Sequence, residues 1–148
     1  MLFLLLCFLS HANPIQEGDV LWAKKQYHQA VRQWKKAKNS PTQAISTMAQ
    51  YRLLLVSTNI LLPLELIAAD QKMAACDLDD PMCVLARVDR EIIFRTLGFP
   101  YNHDLAVDLL YLLPKNLEKE EDDRRCWLLS PEICELGPIQ RGPGGPSF

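Results

Sequence analysis

The residues able to do chemistry in this chain are few, and cysteine comes first. There are five: Cys7 in an apolar run at the start, then Cys76, Cys83, Cys126 and Cys134. Cys76 and Cys83 are separated by Asp-Leu-Asp-Asp-Pro-Met, and Cys126 and Cys134 by seven residues. Each pair spans the end of one expected helix and the start of the next. The chemistry open to them is oxidation to disulfides or binding of zinc. Neither spacing is the short Cys-x2–4-Cys of structural zinc sites, so no metal is expected. Local pairing, Cys76–Cys83 and Cys126–Cys134, is the expected connectivity out of three. Loops this short stabilise by roughly 2–3 kcal/mol in the chain-entropy picture.

Asp77, Asp79 and Asp80 bring three carboxylates together, but the Gly and distal Glu of a calcium-binding loop are absent. A helix start attracts acids anyway, so capping is the expected role. His28 and His103 stand far apart in sequence. No Ser or Cys is placed as an activated nucleophile, and no Gly-rich loop could cradle a phosphate. A carboxylate pair of the glycosidase kind meets only in the fold. The chain is therefore expected to be non-enzymatic and to need no cofactor.

Cysteine chemistry depends on compartment. Leu2 to Leu9 is an uninterrupted apolar run, followed by Ser10 and Ala12 in the small-residue positions of a signal-peptidase site. No Lys or Arg precedes the run, and a buried N-terminal helix is the competing reading. Cleavage after Ala12 removes Cys7 and leaves an even set of four cysteines. The expected organisation is a signal peptide at 1–12, one domain at 13–137 and a flexible Gly/Pro-rich tail at 138–148. The protein is then exported, to a periplasm or the extracellular space. The next most apolar stretch, Leu53 to Ala69, is broken by Ser57-Thr58-Asn59, Pro63 and Glu65, so no transmembrane span is expected after cleavage.

Size and charge bound the rest. The chain has 148 residues, 49% apolar and 23% charged, the balance of one globular domain. A net charge of -2 gives no reason to expect nucleic acid. Charge is nevertheless uneven: residues 13–40 hold six basic and two acidic groups, residues 76–148 eight basic and fourteen acidic. Lys24, Lys25, Arg32, Lys35 and Lys36 form a candidate partner surface, or simply a solvated face.

The elements that carry these residues are helical throughout. Ile15, Gly18 and Trp22 make one stripe. Tyr27, Ala30, Val31, Trp34 and Ala37 make a second at spacings of three and four, across a turn at Lys24-Lys25-Gln26. Ala44, Met48, Tyr51 and Leu55 give a third helix. Leu64, Leu66, Ile67 and Ala68 leave the helix after Pro63 apolar nearly all round, which predicts a central position. Asp80-Pro81 starts a helix ended by Gly98, and Asn102 caps the next, before Pro114. In the charged segment 115–125, Glu120–Arg124 and Glu121–Arg125 are expected surface pairs. Ser130-Pro131 is expected to open a last short turn ended by Gly137. No sustained alternation marks a strand.

The segment from Gly18 to Ala37 resembles a tetratricopeptide (TPR) repeat, with one recognisable unit at about residues 11–41. Gly18, Tyr27, Ala30, Trp34 and Ala37 match the family's small and aromatic positions in type and spacing, and Pro41 lies near its closing Pro. Lys25 departs from the pattern, standing where a turn Gly is usual. The resemblance implies a short stack of antiparallel helical hairpins, here all-α and disulfide-stapled, that binds a protein or peptide. A groove beside Trp22, Tyr27 and Trp34 would mark such an interaction module. A closed bundle would point instead to a small secreted effector, hormone-like factor or inhibitor.

Overall fold

The computed structural model describes residues 13–56, 63–130 and 134. Among these are seven α-helices, one 3-10 turn and no strand. They are α1 (Pro14–Ala23), α2 (Tyr27–Lys38), α3 (Gln43–Val56), α4 (Pro63–Ala74), α5 (Pro81–Leu97), α6 (His103–Leu110), the 3-10 turn Lys115–Leu117, and α7 (Glu118–Leu129). The expected leader at 1–12, the turn from Pro131 to Gly137 and the tail at 138–148 lie outside the described residues, Cys134 excepted.

Local chemistry sets the boundaries. Asn13 caps α1 by accepting from the Ile15 amide, with Pro14 in the first turn. Asp80 does the same for α5 through the Met82 amide, with Pro81 following. Gly98 ends α5 in the left-handed region at φ 79°. The Asn102 side chain caps α6 through Leu105 N–H.

Three hairpins stack in order: α1 on α2, α3 on α4, α5 on α6. The helices α3 and α5 join them, and α7 closes the stack against α5 and α6. The aromatic stripes meet inside the first hairpin. Trp34 is wholly buried, with the Trp22 ring 5.6 Å away, and the Tyr27 ring meets Trp22 edge-on at 4.6 Å. Ala30 and Ala37 are buried beside them. Gly18 is where α1 touches the Trp34 indole: a Cβ there would lie 2.3 Å from Nε1.

The turn between α1 and α2 has Lys25 at φ 63°, the conformation that the missing glycine would adopt freely. Left-handed backbone costs an L-residue about 1–2 kcal/mol, and part of that relief is returned as unfolded-state entropy when glycine is introduced. Lys25→Gly is therefore expected to raise stability by about 0.5–1 kcal/mol in urea unfolding. A destabilised variant would mean that the turn is held by the lysine side chain.

Two expectations are corrected. The helix α4 is not central: Leu64 is 80% exposed and Ile67 52%. It lies against α3, burying Ala69 and Met73, and meets α5 mainly through the Arg90–Asp70 ion pair. The central positions belong to α3 and α5, which meet neighbours on both sides. Thus Leu85 and Ile93 of α5 face the larger core, while Val84, Val88 and Ile92 pack with Leu109, Leu110 and Trp127. The second correction concerns Arg124. It is buried and leaves the Glu120 carboxylate for Asp89 of α5. The Glu121–Arg125 pair forms as expected, at 3.3 Å.

The disulfides join Cys76 to Cys83 and Cys126 to Cys134, with Cα–Cα distances of 5.6 and 6.0 Å. The first ties the end of α4 to the first turn of α5.

Candidate interaction cleft

A line of opposite charges crosses the stack. Asp19 of α1, Arg52 of α3, Asp89 of α5 and Arg124 of α7 alternate in sign, one from each odd-numbered helix. Arg52 donates from Nε and Nη2 to both oxygens of Asp19, at 2.7 and 2.8 Å, and from Nη1 to Asp89 at 2.9 Å. Arg124 donates to the same Asp89 from Nε and Nη2, at 2.7 and 3.2 Å, and from Nη1 to the Glu120 carbonyl at 3.2 Å. Arg52, Asp89 and Arg124 are buried and Asp19 is half-buried.

The ends of this ladder differ from its middle. Burial alone would raise the Asp89 carboxyl, but Arg124 and Arg52 override it and hold the group below its usual value. Among the described residues Asp19 has Arg52 alone as its close partner. Burial wins there, and its carboxyl is pushed above the usual value.

A cleft of about 470 Å³ opens beside the two ends. Gln16, Glu17, Asp19, Val20 and Leu21 of α1 form one wall, Gln33 of α2 adds to it, and Lys119, Asp123, Arg124 and Trp127 of α7 form the other. The helices α1 and α7 are not packed on each other; a hydrogen bond from Gln16 Nε2 to Glu120 Oε1, at 2.5 Å, links them across the gap. The volume falls in the range of small-ligand pockets, about 300–1,000 Å³.

Neither Trp22, Tyr27 nor Trp34 lines this cleft; their rings pack on one another instead. Lys24, Lys25, Arg32, Lys35 and Lys36 are all exposed and lie outside it. A second network, Tyr51 with Asp70, Arg90 and Glu91, fastens α3 to α4 and α5, and Glu91 accepts from the Asn102 amide at the start of α6. Asp77 accepts from the Asp79 amide, a turn contact, and Asp80 is the α5 cap. Among the described residues no group of three or more metal-ligating side chains is brought together. No helix among them is long and apolar enough to cross a membrane.

The ladder was hidden from a reading of neighbours along one helix. Its signal is long-range: the four residues lie 33, 37 and 35 positions apart. No family model, curated protein or solved structure matches the chain.

Proposed function

We propose that the chain is an exported, non-enzymatic protein-interaction module built of TPR-like helical pairs, with the α1–α7 cleft as its docking surface. The observation that carries this reading is the register of the ladder. One equivalent position recurs in α1, α3, α5 and α7 at separations of 33, 37 and 35 residues, close to the 34-residue TPR period. Stacked helical pairs of this kind present a hollow on one side to a partner. The ladder's charged groups are spent on one another, which favours a scaffold over a reactive site. Two local disulfides favour an oxidising compartment. Asn13, the cap of α1, is the first residue that the expected cleavage would leave.

The smallness of the cleft keeps a second reading in play: a compact secreted effector or inhibitor whose outer surface is recognised by a receptor. One experiment separates them. Wild type, Val20→Trp and the double variant Arg32→Glu/Lys36→Glu are used as bait in fluid from the native compartment, after confirming near-identical melting temperatures. Val20 stands half out of the α1 wall, and a tryptophan there fills the cleft. The partner identified by mass spectrometry with wild type should be lost with Val20→Trp and kept with the double reversal. Retention by Val20→Trp together with loss by the double reversal would move the docking surface to the basic hairpin.

A further inference from the structure

The cleft's charges point to the kind of side chain it accepts. Three carboxylates line it, from Glu17, Asp19 and Asp123, against the two cations Lys119 and Arg124. Arg124 is already committed to Asp89. Asp19 is matched by Arg52. Glu17 and Asp123 take part in none of the ion pairs among the described residues. Of the groups left over, two are acids and only Lys119 is basic, and the Glu120 carboxylate stands close by on the same helix.

The walls add shape to that charge. Val20, Leu21 and Trp127 supply apolar surface beside the carboxylates. The Trp127 ring already hosts a guanidinium, with Arg124 Cζ 5.2 Å from its centroid. A lysine or arginine side chain combines a methylene stem with a charged head, which is the pattern these walls present.

We infer that the cleft receives a lysine or arginine side chain of the partner, its stem along Val20, Leu21 and Trp127 and its charged head between Glu17 and Asp123. This rests on the docking reading above and names the chemistry of what docks. Burial pushes the Asp123 carboxyl above its usual value, with the neighbouring Glu120 and Asp122 adding to the rise against Lys119 and Arg124. An incoming cation offsets that penalty, as Arg124 and Arg52 do for Asp89.

The test uses the disulfide-intact protein and two acetylated, amidated pentapeptides, Gly-Leu-Arg-Leu-Gly and its citrulline counterpart, which keeps the shape and loses the charge. Calorimetric titration at low salt should show the arginine peptide binding at least tenfold more tightly than the citrulline peptide. Asp123→Asn, on a half-exposed position outside the ladder, should remove most of that difference and leave the melting temperature unchanged. Equal affinities, an unaltered preference in Asp123→Asn, or no binding of the arginine peptide at millimolar concentration would each overturn the inference. The docking reading fails differently: it falls if Val20→Trp keeps the natural partner, whatever the peptides do.

Discussion

Asp89→Ala is expected to destabilise the protein by about 3–5 kcal/mol, because it leaves two buried guanidinium groups facing each other without their shared carboxylate. A domain of this size has roughly 5–15 kcal/mol in total, so the melting temperature should fall on the order of 10–20 °C. Asp89→Asn should recover only part of the loss, since it keeps the shape and one acceptor oxygen but not the charge. Salt is a useful control. Buried pairs are poorly screened, so the cost should be nearly the same at low and high ionic strength. A mild effect that vanishes in salt would mean that the ladder is solvated.

The same residues fix the sign of the acid response. Asp89 has a folded pKa below its unfolded value, so its contribution is present above the ordinary carboxylate range and is lost as pH falls through the folded value. Asp19 is shifted the other way: its penalty at neutral pH is relieved as pH falls through its raised value. Stability should therefore hold or rise slightly on mild acidification and fall steeply only below the usual carboxylate range. Urea midpoints across that range give the curve.

Trp34→Ala carries the second large effect, about 3–5 kcal/mol for a fully buried aromatic. The mutation removes the ring on which Trp22 leans and against which Gly18 is fitted. Gly18 gives the sharper version. A Cβ at that position would meet three atoms of the Trp34 indole, the nearest at 2.3 Å. Gly18→Ala should cost about 1–3 kcal/mol by overpacking, although alanine is the better helix former. In a Trp34→Ala background the clash partner is gone, and the cost of Gly18→Ala should largely disappear. Such non-additivity is the signature of direct contact. Additive losses would mean that the two sites act separately.

This pair also shows how much of the fold could be read in advance. The Gly18/Trp34 contact follows from a small residue and an aromatic at fixed spacing across a short turn, and Asp80-Pro81 with Gly98 bounded α5 closely. Local disulfides followed from loop lengths. What failed were inferences that need to know which neighbour arrives. The apolar character of α4 carries no information about how little α5 covers it, so Leu64 and Ile67 are exposed. Arg124 has a carboxylate four residues earlier, the familiar surface pairing, yet Asp89 lies 35 positions away in sequence and wins because both side chains are buried together. The cleft was out of reach for the same reason. It is made by the first and last helices among the described residues, and its Gln16–Glu120 link spans 104 residues.

The central claim is that the partner seats between α1 and α7. Hydrogen exchange of the disulfide-intact protein, alone and saturated with the partner captured by wild type, tests it most directly. The account predicts slowed exchange in the backbone amides of 16–21 and 119–127, with little change along the outer face of α2. Protection confined to the Lys24–Lys36 hairpin or to α4, with α1 and α7 exchanging as in the lone protein, would contradict it.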